Sequence, residues 1–211
     1  MLFRSIRSAS WLSRVSENML SVTRLRDGDV RLAPEVQVLE EIVSGAVLRF
    51  RRFQQDIPIC LSVPEEILLV RADATLVEQV ILNLFENAAI HGKGAAEIRV
   101  TLSQDGQEAL TRVEDDGQGF PEELLPHLFD GLDELPPLGN GDSTGNSKMG
   151  IGLSSCAVII RAHHGHITGG NLPRGGAWVE FTLPLADSEI SGETEQKKEV
   201  PGTGADEQAG G

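Results

Sequence analysis

At 211 residues the chain has room for one domain plus appendages. An apolar share of 40% supports a modest core, and an aromatic share of only 4% makes that core aliphatic. The formal net charge of −14 argues against direct nucleic-acid binding. No run approaches the roughly 20 apolar residues of a membrane span, and Met1–Ser10 lacks the apolar centre of a signal peptide. Cys60 and Cys156 form no CxxC motif, so both are expected as buried, reduced thiols of a cytoplasmic protein.

Taken in chain order, residues 3–27 read as an amphipathic helix through Trp11, Leu12, Val15, Met19, Leu20, Val22 and Leu25, and 34–52 as a second helix. Strands are expected at 56–63 and 67–71. Ala74 to His91 then carries Leu76, Val80, Ile81, Leu84, Phe85 and Ala88 at the three/four spacing of a buried stripe. Asn83 and Asn87 lie four apart, on one face and a turn from each other. An amide oxygen is a usable ligand for Mg²⁺, which takes its remaining oxygens from water and nucleotide phosphates. By itself such a pair is more often a solvated helix face.

Strands at 96–103 and 109–114 follow, and the second is broken by Asp115-Asp116-Gly117-Gln118-Gly119. Alternate glycines let a backbone turn sharply against a flat ligand, and the leading carboxylate can accept from an exocyclic amine. The same stretch also reads as an acidic turn before a helix that opens at Pro121-Glu122-Glu123. Gly131–Met149 has glycines, prolines and no periodicity, and is expected as a lid. Gly150-Ile151-Gly152-Leu153 is read as opening a helix to about His163, where free amides and the helix dipole favour phosphate. The cluster His163, His164, His166 suggests zinc, but its place in a helix-to-strand turn favours an ordinary structural role. Strands at 166–170 and 177–183 end the ordered part. The tail from Ala186 holds seven acidic residues and two lysines and is expected to be disordered. Strands on one face and helices on the other make the fold class α+β, a two-layer sandwich.

Three motifs in register, NLFENA at 83–88, DDGQG at 115–119 and GIGL at 150–153, resemble the ATP-binding domain of sensor histidine kinases. That superfamily is shared with DNA gyrase, a heat-shock chaperone and the MutL repair protein. The likeness spans about 34–184, ends on GAWVEFTLP, and is nearest in flavour to Kdp-type potassium-responsive sensor kinases. It implies a Bergerat-type fold over 31–185, a remnant of a dimerisation helix over 1–30, and a tail over 186–211. It further implies ATP and Mg²⁺ as ligands. Asn87 would bind Mg²⁺, and Asn83 would support the phosphates. Asp115 would bind the adenine amine, and Gly117 and Gly119 would shape the base pocket. Gly150, Ile151, Gly152 and Leu153 would hold phosphate, and Thr182 would be a pocket hydroxyl. The lysine that often follows the first motif is Ile90 here, with His91 next to it as a candidate contact. Lys148 replaces the first glycine of the usual GxGxG and offers an ammonium to phosphate.

In ATP-hydrolysing members of this superfamily a glutamate at the slot of Asn83 activates water, and an amide cannot take that proton. Phosphoryl transfer to a protein side chain is therefore favoured, with Glu86 rotated too far around the helix to substitute. The resemblance implies a histidine acceptor on a dimerisation helix, relay to a response-regulator receiver domain, and a homodimer in the full-length context. No histidine precedes His91, so the acceptor is expected outside this sequence. An anti-sigma-factor-type serine kinase and a catalytically silent nucleotide-binding fragment are the alternatives.

Overall fold

The computed structural model describes residues 32–54, 56–91, 97–130 and 146–186. The helix expected at 3–27, the lid up to residue 145 and the acidic tail from 187 lie outside the described residues. The chain order is β1 (Glu35–Val38), α1 (Leu39–Arg51), β2 (Ile59–Ser62), β3 (Leu69–Ala72), α2 (Ala74–His91), β4 (Ile98–Asp105) and β5 (Glu108–Asp115). A 3-10 turn (Glu122–His127), α3 (Asn146–Ala162), β6 (Ile167–Asn171) and β7 (Ala177–Pro184) complete it.

The helix expected at 34–52 is corrected at its start, where Glu35–Val38 is a strand. It pairs antiparallel with β3, Glu35 opposite Ala72 and Val38 opposite Leu69. Val36 and Val38 satisfy an alternating pattern, and Val36 also extends the helical stripe to Leu39 and Val43, so periodicity cannot separate the two. Pairing with β3 decides it, and the Leu39 amide continues the contact by donating to Leu68 O at 2.9 Å. From Leu39 onward the helical stripe holds, burying Ile42, Val43, Ala46, Val47 and Phe50.

The main sheet has the order β2-β4-β5-β7-β6, with β2 parallel to β4 and every other pair antiparallel. Strand alternation divides its two faces. Ala177, Val179, Phe181 and Leu183 of β7 point inward with Ala109, Thr111 and Val113 of β5. The inward face meets the helices, whose core includes Ile81, Phe85, Ile159 and Ile160, and Phe50 and Phe85 meet edge to face at 5.5 Å. On the outward face the Arg112 guanidinium stacks 4.3 Å from the Trp178 ring. It also pairs with Glu114 at 2.7 Å and Glu180 at 3.4 Å. This is the two-layer α+β sandwich that the alternation of elements indicates. Cys60, expected inside, is exposed, because Ile59 takes the inward position of β2 and its neighbour must face out. No helix of the described residues is long and apolar enough to cross a membrane.

The helix that carries the asparagine pair is anchored at its start. Asp73 Oδ1 accepts from the Thr75 and Leu76 amides at 3.1 and 3.2 Å, an N-terminal cap. The Asp73 amide itself donates to His163 Nε2 at 3.0 Å, while Nδ1 of the same ring donates to Ile159 O at 2.8 Å. Both nitrogens of this buried ring are thus engaged by backbone groups, which fixes the Nδ1-protonated tautomer. The ring pins the end of α3 to the start of α2, the structural role favoured over zinc. His163→Ala should leave the Asp73 amide without its acceptor and lower stability by about 1–3 kcal/mol, read as a fall in urea midpoint at unchanged slope.

Candidate functional site

Along α2 the stripe of Leu84, Phe85 and Ala88 faces the core, and this turns the asparagine pair toward α3. Asn83 is buried, and its Nδ2 donates to Cys156 Sγ at 3.8 Å. The thiol in turn donates to Val80 O at 3.9 Å. Burial pushes the Cys156 thiol up to about 12, against a smaller opposing effect from the Asn83 amide, so it remains a protonated donor. One turn along, a Cβ at Gly152 would stand 3.7 Å from both amide atoms of Asn87. The seam thus has two rungs, Asn83 with Cys156 and Asn87 with Gly152, each pair of residues four apart on its own helix. Asn87 Nδ2 is buried without a hydrogen-bond partner among the described residues.

Across from this seam, β5 ends in Asp115. Its Oδ1 accepts from the Gly117 amide at 2.9 Å and the Ala177 amide at 3.4 Å. Burial raises the Asp115 pKa, the two amides pull it down, and Asp116 pushes it up again. Two glycines make this approach possible. Gly176 has φ +93°, and a Cβ there would lie 1.9 Å from Asp115 O. Gly119 has φ +79° and packs against Gly176 O, which a Cβ would approach to 3.1 Å. Between seam and turn lies a cleft of about 410 Å³, counted to its open mouth. It is lined by Leu84, Asn87 and Ala88 of α2, by Val113, Asp115, Ala177 and Val179 of the sheet with Trp178, whose ring lies on the outward face, and by Gly119 and Phe120 of the turn.

Of the residues expected in the site, Asn87, Asp115 and Gly119 border this one cleft, with Gly117 and Gly152 immediately behind it. Asn83 does not border it and is sealed in the helix seam. Leu153 is a core side chain, 1% exposed, so only its backbone could meet a phosphate. The helix expected to open at Gly150 begins at Asn146, so the GIGL motif lies inside α3. Glycine costs a helix only about 1 kcal/mol each, and the buried Leu153, Cys156, Ile159 and Ile160 hold the segment. Lys148, Gly150 and Ile151 belong to its first turns, and His91 ends α2; their side chains lie outside the described residues.

Thr182 stands apart from the cleft. Its Oγ1 donates to Glu108 Oε1 at 3.1 Å and accepts from the His166 amide. Since Phe181 and Leu183 point inward, Thr182 must point outward. Sequence reasoning missed Ala177, Cys156 and Gly176. A glycine immediately before a strand was the available signal for the last.

Residues 72–187, more than half of the chain, match the family described as histidine kinase-, DNA gyrase B-, and HSP90-like ATPase. The chain belongs to this family. Sensor protein KdpD of Clostridium acetobutylicum is 35% identical over 176 residues, 82% of this chain and 19% of that protein. KdpD of Escherichia coli (strain K12) is 35% identical over 172 residues, with the same shares. The chain therefore spans about a fifth of the length of these relatives. The nucleotide-free catalytic domain of histidine kinase ThkA superposes with TM-score 0.59 at 27% identity, covering 74% of this chain and 96% of that one. Full-length ShkA with AMPPNP gives TM-score 0.67 at 21% identity, over 87% of this chain and 38% of that one, a likeness of fold. The chain is an ATP-binding catalytic domain of the sensor histidine kinase type, and the serine-kinase alternative finds no support in these relatives.

Asp115→Asn tests the electrostatics of the cleft. The amide oxygen can still accept from Gly117 and Ala177, but the second position becomes a donor. ATP affinity should fall by about 1.5–3 kcal/mol, the range for a hydrogen bond to a charged group. Burial raises the carboxyl's pKa, so the folded protein holds this proton more tightly than the unfolded chain does, and the ionised form subtracts stability above the folded pKa. Removing it should leave the melting temperature at neutral pH unchanged or higher. Affinity of the unmodified chain should decline on acidification at a higher pH than for an exposed aspartate, and the variant should flatten that dependence in calorimetric titrations.

Proposed function

We propose that this domain binds ATP with Mg²⁺ in the cleft and presents the γ-phosphoryl to a histidine on a dimerisation helix, for relay to an aspartate of a response regulator. The observation that carries this reading is the meeting of Asn87, with its unpartnered buried Nδ2, and Asp115 on a single cleft with apolar walls. Leu84, Ala88, Val113 and Val179 suit the faces of a flat base. Both bonds to Asp115 go to Oδ1, which leaves Oδ2 for an exocyclic amine. The amide of Asn87 has no hydrogen bond from Nδ2 to fix its orientation, so it is free to turn its oxygen toward a cation. Mg²⁺ bound there would neutralise charge on the transferring phosphates.

The acceptor follows from Asn83. Its amide is no base, and its Nδ2 is committed to Cys156, which supports transfer to a protein side chain over hydrolysis. Gly150 and Gly152 are the proposed phosphate-facing positions, with Lys148 and His91 as further contacts. The dimerisation helix and receiver domain are the proposed partners, and a homodimer the full-length state.

Two measurements test this. Asn87→Ala should abolish the Mg²⁺-dependent part of ATP affinity while metal-free ADP binding stays within about twofold, a difference below 0.5 kcal/mol. With labelled ATP, the chain alone should give no acid-labile label on any of its five histidines. A separate hairpin bearing the acceptor histidine of a Kdp-type kinase should become labelled in its presence. Stoichiometric label on one of the chain's own histidines would contradict the proposal.

A further inference from the structure

The turn that follows Asp115 has a second anchor, on a strand that is not β5's neighbour. Leaving β5, residues 116–120 pass the start of β7 and reach β6, the outer strand of the sheet. There the side chain of Asn171 meets the backbone of Phe120 twice. Asn171 Oδ1 accepts from the Phe120 amide at 2.6 Å, and Asn171 Nδ2 donates to Phe120 O at 2.8 Å. The side-chain amide therefore acts as a one-residue strand partner for the turn. It supplies an acceptor and a donor to the same residue from two separate atoms, whereas an ionised aspartate offers acceptors only and alanine offers neither. The contact also crowds Gly119, where a Cβ would lie 2.6 Å from Asn171 Oδ1. Gly119 and Phe120 both border the cleft, and Asp115 takes one of its amide bonds from Gly117 in the same turn.

We propose that Asn171 is a positioning residue for the base-binding side of the cleft, holding the Gly117–Phe120 turn at the distance from Asp115 that an adenine requires. This rests on the reading of the cleft as the nucleotide site. Asn171 does not border the cleft; it is exposed at the end of β6, opposite Ala177 on the inward face of the sheet, so its effect passes through Phe120 and Gly119. Releasing the turn loosens the Gly117 amide, one of the two that orient Asp115, and the wall opposite Asn87. Recognition of the exocyclic amine should suffer more than overall affinity for a nucleoside diphosphate.

The test compares ADP with inosine diphosphate, which carries a carbonyl in place of the amine. Both are titrated calorimetrically into the full chain and into Asn171→Ala, Asn171→Asp and Asp115→Asn, each with its melting curve. Asn171→Asp keeps size and one acceptor but sets an oxygen against Phe120 O, so it should behave like Asn171→Ala. Both should weaken ADP about tenfold, roughly 1.4 kcal/mol, and reduce the preference for ADP over inosine diphosphate, while melting stays cooperative above the titration temperature. Wild-type behaviour of Asn171→Asp would overturn the proposal, because filling the space would then suffice. Equal losses for the two nucleotides, or loss of cooperative melting in both Asn171 variants, would assign the residue to the fold and overturn it too. If Asp115→Asn loses the preference and the Asn171 variants keep it, only this inference fails. If the unmodified chain shows no preference for ADP, the adenine reading of the cleft itself fails.

Discussion

A carboxylate held at the end of β5 by two backbone amides sets the geometry on which the rest of the cleft depends. Asp115 is taken from water at a cost visible in its raised pKa, and the Gly117 and Ala177 amides offset part of that cost. To donate, Ala177 must begin β7 directly beside the carboxylate, and this is where Gly176 is indispensable, since its Cβ would strike Asp115 O. The turn beyond must double back at Gly119, and Asn171 catches it on β6. One buried ionisable group thus dictates the start of a strand, the identity of two glycines and the course of a loop. A fold built for stability alone would put an apolar residue there, because burying a carboxylate costs stability. Its retention points to a ligand.

The other wall is set by the seam of α2 and α3. Cys156 fills the space beside Asn83, whereas Gly152 leaves the space beside Asn87. Two asparagines a turn apart therefore have unequal environments: one is closed off against a thiol, the other lies at the cleft with an unpartnered amide nitrogen. The end of this seam away from the cleft is tied down through the His163 bridge from Ile159 to Asp73. The helices can hold Asn87 at a set height above the β5–β7 floor because that bridge and the core stripe resist sliding.

How much of this was legible in the sequence depended on whether a residue's role was local. The α2 helix was readable because its apolar stripe, from Leu76 to Ala88, runs for more than three turns and admits no alternation. That Asn87, Asp115 and Gly119 would come to one cleft was readable from three motifs in register, since each motif alone also reads as a solvated helix face or an acidic turn. Thr182 was misplaced because a strand's pattern shows which positions share a face but does not mark the face that meets a ligand, and one residue reverses it. Val36 and Val38 satisfied two periods at once, so only β3, more than 30 residues away, settled β1. Cys60 was misread because an apolar-looking strand at a sheet edge still presents half its side chains to solvent. Cys156, Gly176 and Asn171 act through partners 73, 61 and 51 residues away, and no local pattern carries such information.

The central claim is that the wall of Asn87 and the turn after Asp115 enclose one nucleotide. Amide chemical shifts of the isotope-labelled chain, followed through a titration with ADP and Mg²⁺, test it most directly. The account predicts saturable shifts that are largest at the Gly117, Gly119, Phe120 and Ala177 amides and at the Asn87 side-chain amide, with Arg112 and Glu180 on the outward face unmoved. Saturable shifts confined to the outward face, or none at the turn at millimolar ADP, would contradict it.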